Sequence, residues 1–197
     1  MKKIKSIIDT STSATLAGIC ISVGCIVNLS VGGIAGAIFF TFGLLTVVHY
    51  GYKLYTGTAG FCTDWRSIMT LFVFILTFNI IGCLLAAEMT KIMNPEIIEK
   101  ASDLLSKRES VDWLASLFRG LFCGFLMTTA VYFGRQHMFL PLLFAVPVFI
   151  LSGFYHSIAD SFYYLVSDTA LGLNYFMVIV GNFIGCNLYR LETTFNT

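Results

Sequence analysis

Six apolar runs, separated by mostly short polar intervals, set the pattern of this chain. They cover about residues 14–29, 33–50, 67–87, 113–133, 139–155 and 173–189. Each is close to the roughly 17–25 apolar residues that an α-helix needs to cross a bilayer. Asp64 and Arg66 precede the third run, and Glu88 and Lys91 follow it. The pattern predicts an all-α membrane protein with six transmembrane helices in a single transmembrane domain over residues 1–197. One polar interval is long: residues 88–112 are amphipathic, contain Asn94-Pro95 and hold most of the carboxylates.

Two segments do not fit plain helices. GYKLYTGTAGF (51–61) is dense in glycine and threonine, and HSIADSFYYLVSD (156–168) is polar yet too apolar for an exposed loop. Irregular backbone at membrane depth persists only where protein buries it or where it lines a watery cavity. Both segments therefore read as broken or re-entrant helices, a device that marks transport sites.

Composition narrows the classes. The chain has 197 residues, 57% hydrophobic and 12% charged, with a formal net charge of +1. Soluble domains carry about 25% charged residues, so this chain lacks the polar surface to cover a globule. A basic tail for nucleic acid is absent, so the lipid bilayer is the expected partner and nucleic acid is not. The opening MKKIKS resembles a signal-peptide n-region, but the following apolar run lacks a clean cleavage site and leads into further spans. It reads as an uncleaved first helix. Cys20, Cys25, Cys62, Cys83, Cys123 and Cys186 show no CxxC spacing and read as small buried hydrophobes.

With six alternating spans, Lys2, Lys3, Lys5, Lys53, Arg66, Arg135 and Arg190 share one side, and Lys91, Lys100, Lys107 and Arg108 the other. The positive-inside rule makes the first group cytoplasmic, with both termini. The expected location is a prokaryotic cytoplasmic membrane. An internal repeat runs through the same spans. LAGICISVG (16–24) parallels FRGLFCGFL (118–126), Gly18 matching Gly120, and NIIGC (79–83) parallels NFIGC (182–186) at about the same offset. Three spans per half, about 14–87 and 113–190, force opposite orientations. The result is an inverted 3+3 repeat with broken second and fifth helices.

The chemistry centres on GFYHSIAD (153–160). An ionisable ring at bilayer depth normally faces a cavity or pathway, and imidazole titrates near neutral pH. That octapeptide resembles the GFEHSIAN signature of the formate/nitrite transporter family. GYKLYTG (51–57) resembles the family's G-x-x-LFTG, GLFCGFLMTTAVYF (120–133) its fourth helix, and GNFIG (181–185) its sixth-helix GN-x-IG. The resemblance spans nearly the whole chain in order. It implies an aquaporin-like fold, a homopentamer with one pore per subunit, and small weak-acid anions (formate, nitrite or hydrosulfide type) together with protons as passengers. It further implies that Phe40, Leu44 and Leu54 form one apolar constriction and that Phe149 contributes to the other. Thr56 would hydrogen-bond near His156, and Arg108 would draw anions at the position where lysine is usual.

Elementary energetics agrees with that layout. A bare carboxylate in an apolar constriction costs tens of kcal/mol by Born reasoning. Neutralising an acid of pKa about 4 at pH 7 takes roughly 4 kcal/mol. The anion is thus expected to gather at cations and cross the neck as the neutral acid, with His156 donating the proton or polarising a water.

Four positions depart from the family pattern. Tyr155 replaces a glutamate, Asp160 an asparagine, Gly124 an asparagine and Tyr55 a phenylalanine. Near the pore, Asp160 would favour a charged His156 and repel anions. Lys53 either guides anions or snorkels, Arg108 equally reads as a surface charge paired with an acid in 88–112, and Arg119, inside a span, reads as paired or snorkelling. His49 reads as packing, and His137 as solvated in a turn. Ser157 adjoins His156, poor geometry for a nucleophile dyad, and no HExxH or other ligand spacing occurs. Enzyme, metal and cofactor readings therefore find no footing. Two alternatives to the anion pathway stay open: a neutral-solute pore, and a non-conducting scaffold or sensor on the same fold.

Overall fold

The structure, a computed structural model, describes residues 2–191; the chain ends beyond them, which enter the expected placement of the termini, lie outside that range. The described residues form α-helices and one π-helical stretch, with no strand: α1 (Lys2–Val31), α2 (Gly33–Tyr50), α3 (Tyr55–Ala59), α4 (Trp65–Thr70), α5 (Thr77–Met93), α6 (Glu96–Glu109), α7 (Trp113–Arg135), α8 (Leu140–Leu151), α9 (Ser157–Val166) and α10 (Leu173–Asn187). The π-helical turns Leu71–Leu76 join α4 to α5.

Four helical stretches are long and apolar enough to cross a bilayer: Lys5–Val31, Gly33–Tyr50, Trp65–Met93 and Trp113–Arg135. The fifth and sixth expected spans appear as the shorter apolar helices Leu140–Leu151 and Leu173–Asn187. The fifth is short because the chain breaks after it and re-enters as α9. The sequence extended that span to residue 155, but apolar character continues through GFY, where the helix does not. The polar interval 88–112 also splits: its first part completes α5, and Asn94-Pro95 separates it from amphipathic α6, which buries Ile97, Ala101 and Leu105.

Packing follows the inverted repeat. Helix α1 packs on α2 and α5, and α7 on α8 and α10, while α2 meets α8 across the halves. The long pairs approach closely because glycines face backbone. A Cβ on Gly18 would lie 2.1 Å from the Asn79 carbonyl oxygen, and one on Gly124 would lie 2.2 Å from that of Asn182. Small residues at such crossings let helix backbones touch. These contacts equate Gly18 with Gly124, one helical turn away from the Gly18–Gly120 match suggested by sequence. The outward faces carry Ile34, Phe42, Phe118 and Phe176, each at least half exposed, as lipid or a neighbouring subunit requires. Trp65 and Trp113 start their helices at opposite ends of the bundle and are exposed, where interfacial aromatics belong.

Candidate pore site

Each half contains one break, and one asparagine holds each break. After α2 ends in the left-handed Gly51, the chain runs extended through Leu54 into α3. Asn79 on α5 accepts from the Tyr55 N–H (2.8 Å) and donates to the carbonyls of Lys53 (2.8 Å) and Ala14 (2.7 Å). In the second half, Asn182 on α10 accepts from the Ser157 N–H (2.8 Å). It donates to the carbonyls of Tyr155 (2.9 Å) and Gly120 (2.7 Å). The Tyr55 and Ser157 N–H groups and the Lys53 and Tyr155 carbonyls are the backbone groups that the breaks orphan, and an apolar interior cannot solvate them. The Ala14 and Gly120 carbonyls tie the two asparagines to α1 and α7.

The cysteines of the same motif reach across the halves. The Cys83 thiol donates to the Ile158 carbonyl (3.4 Å), and the Cys186 thiol to the Thr56 carbonyl (3.3 Å). NIIGC and NFIGC are thus two copies of one clamp, its asparagine on its own half and its thiol on the other. Sequence reading recognised the repeat but missed this role. The signal was the asparagine, a polar residue placed identically in two apolar runs.

The clamps bring Thr56 and His156 together. His156 caps α9 with its own ring: Nδ1 accepts from the Ala159 N–H at 3.2 Å. Nε2 lies 2.9 Å from the Thr56 hydroxyl oxygen. Because a backbone N–H points at Nδ1, the ring in this arrangement is the neutral tautomer with its proton on Nε2, donating toward Thr56. The ring is buried, as is Thr56.

Phe149 stacks on His156, with centroids 5.9 Å apart, and Phe40 meets Phe149 edge-on at 5.8 Å. Phe40 therefore stands with Phe149 on one side of the histidine, whereas the resemblance grouped it with Leu44 and Leu54. Those two leucines are buried and line neither of the hollows described next.

A cavity of about 250 Å³ opens on that side and reaches His156, Phe40 and Phe149 from a mouth carrying Lys107, Arg108 and Arg119. Toward the other end, a hollow of about 60 Å³ lies beside Lys53, Gly57, Thr58 and Arg135. The two share no lining residue. Arg135 donates to the Gly57 carbonyl at 3.3 Å and lies over the Phe61 ring. Lys53 is exposed at that mouth.

Arg108 does pair with an acid, but the acid is Asp160 rather than one in 88–112. Asp160 is buried and receives Arg108 Nη1. The Arg108 guanidinium also lies 4.5 Å from the Tyr155 ring centroid and 5.2 Å from that of Tyr163. The carboxylate thus turns to Arg108, and no His156–Asp160 ion pair forms among the described residues. Tyr155, in the family's glutamate position, accepts a hydrogen bond at its hydroxyl from Arg119 Nη1. The Arg119 guanidinium also sits 5.0 Å from the Tyr155 ring centroid.

Two opposed broken helices, meeting at a buried histidine below a cationic vestibule, define a membrane channel or transporter fold. The comparisons agree. A family model described as formate/nitrite transporter matches residues 1–189. The chain belongs to the formate/nitrite transporter family. Among solved structures, one described as "FNT family ion channel" superposes with a TM-score of 0.87 at 19% identity, covering 99% of this chain and 92% of that one. Another, "Pentameric formate channel with formate bound", gives 0.82 at 17% identity, covering 98% and 97%. Among curated protein sequences, none matches this chain.

Proposed function

We propose that this protein passes small weak-acid anions of the formate, nitrite or hydrosulfide type, together with protons, through a pore in each subunit of a homopentamer. One observation carries the reading: the His156 Nε2–Thr56 contact lies at the foot of a cation-rimmed cavity walled by Phe40 and Phe149. The pentameric formate channel, similar over nearly its full length, supports both passenger and assembly. Phe149 and Phe40 serve as the constriction on the Arg108 side, with Leu44 and Leu54 as its counterpart toward Lys53. By the charge rule, the Lys53 end faces the cytoplasm.

The anion gathers at the cationic mouth, where attraction is long-range and salt-dependent. Past the phenylalanines its charge becomes untenable, and protonation at roughly 4 kcal/mol is the cheaper route. The capped ring favours the second of the two proton routes. Protonating Nδ1 would break its contact with the Ala159 N–H, so the neutral ring donates through Nε2 and polarises the acid or a water. The proton itself then arrives from cavity solvent.

Stopped-flow uptake of formate into proteoliposomes at two pH values tests this. Parent flux should rise as pH falls, and His156→Ala and His156→Asn should lower it at both pH values. Both variants conducting like the parent would overturn the scheme. The Asp160–Arg108 pair, which cancels a cation at the mouth, favours one second reading, a neutral-solute pore. In that case osmotic swelling with neutral solutes would be rapid and independent of pH.

A further inference from the structure

Two arginines line the larger cavity, and they stand in different electrostatic states. Arg108 is mostly buried and already faces a carboxylate, that of Asp160, on a neighbouring helix. Its Nη1 is committed to Asp160, whose carboxylate offsets the guanidinium charge at the cavity, and its Nε is buried without a partner. Arg119 is half-buried and takes part in none of the three ion pairs among the described residues. Its contact is the neutral Tyr155 hydroxyl, which accepts from it. That hydroxyl keeps its own proton to donate, and both side chains line the cavity that ends at His156.

From this asymmetry we infer that Arg119 and the Tyr155 hydroxyl form the receiving site for a small oxyanion, and that Asp160 is a tethered competitor holding Arg108 out of it. A tethered group acts at an effective concentration on the order of millimolar or above, so a dilute free anion does not displace Asp160. Arg119 offers several N–H donors and Tyr155 one O–H. An anion with two oxygens accepts from both at once, whereas a single-atom acceptor such as hydrosulfide bridges them less well. Lys107, exposed at the rim, attracts at a distance but is screened by solvent. The inference rests on the anion-pathway reading and narrows its substrate class to oxyanions.

The experiment measures formate uptake against concentration in proteoliposomes holding the full-length chain, with hydrosulfide in parallel. Arg119→Gln should raise the half-saturating formate concentration by about fivefold, the upper end for a partly solvated charge contact. Hydrosulfide should change less. Tyr155→Phe should shift formate in the same direction. Asp160→Asn should lower half-saturation by freeing Arg108, and in that background Arg119→Gln should have a reduced effect, since the two sites then share the task. Equal factors in both backgrounds, or no shift in Arg119→Gln, would overturn the inference. Arg119→Gln and Tyr155→Phe leave the Arg108–Asp160 pair intact, so they decide the matter even if Asp160→Asn does not assemble. A second readout separates this inference from the transport reading: stabilisation of the purified protein by sodium formate in a thermal melt, which needs binding and no flux. If the parent conducts nothing yet formate stabilises it in an Arg119-dependent way, the receiving site stands and the transport reading falls. If the parent conducts but shows neither an Arg119-dependent melt nor an Arg119-dependent half-saturation, the reverse holds.

Discussion

Replacing Asn182 by alanine removes the clamp on the second break. Three hydrogen bonds disappear: from the Ser157 N–H and to the carbonyls of Tyr155 and Gly120. The Gly120 carbonyl lies within α7, where the helix ladder already serves it. The other two flank the break and have no such alternative. Each buried polar group left unmade costs about 1–3 kcal/mol, so Asn182→Ala should destabilise by about 2–6 kcal/mol. Asn79→Ala strips the same pair of groups at the first break and should cost a similar amount. Asn182→Asp keeps the acceptor for Ser157 but sets a buried carboxylate oxygen against the Tyr155 and Gly120 carbonyls, so it should be no more stable than alanine. Denaturant-dependent unfolding in mixed micelles, followed by far-ultraviolet circular dichroism, reads these differences. If both alanine variants lie within about 0.5 kcal/mol of the parent, the level of an ordinary surface change, the clamp argument is wrong.

Three further outcomes are expected. Gly18→Ala and Gly124→Ala place a methyl about 2 Å from a facing carbonyl oxygen and should each destabilise by about 1–3 kcal/mol or more, measured by the same unfolding assay. Gly120→Ala meets its nearest backbone atom at 2.8 Å and should cost less, which checks the one-turn correction to the repeat. Phe149→Ala deletes the ring stacked on His156, so formate flux should become faster and less selective against larger carboxylates, at a stability cost of about 3–5 kcal/mol. Outside the spans, the Asp64 carboxylate accepts from the Ser67 N–H at 3.0 Å, which holds it below its ordinary value. A lowered folded-state value means that the cap is retained above the ordinary carboxylate range and lost as pH falls through the lowered value. Hydrogen exchange at Ser67 should show that sequence of events, and Asp64→Ala should abolish the protection at every pH.

Much of the architecture was legible in the apolar runs and in two anomalous segments. The segments 51–61 and 156–168 announced themselves because glycine, threonine and histidine are poor company for lipid. The short fifth helix was not legible, since GFY is as apolar as a helix end and only backbone geometry shows that Tyr155 is already past it. The repeat was visible but one turn out of register: glycines recur every few residues in α1 and α7, and only the facing carbonyls tell them apart. At the site, His156 and Thr56 were named, and the structure brings them to 2.9 Å. Phe40 meets Phe149 edge-on where α2 packs on α8, a contact between distant parts of the chain. The partner of Arg108 was likewise beyond sequence reach. Acids crowd residues 88–112, yet the one that meets it is 52 positions away, delivered by the second break.

The central claim is that a weak acid crosses the neck neutral, one proton with each anion. The most direct measurement follows formate and proton uptake in the same proteoliposomes, the proton with an internal pH-sensitive dye, while the membrane potential is stepped with a potassium ionophore. One proton should enter per formate, with a flux insensitive to potential. Formate uptake that carries current, follows the imposed potential and leaves internal pH unmoved would contradict it.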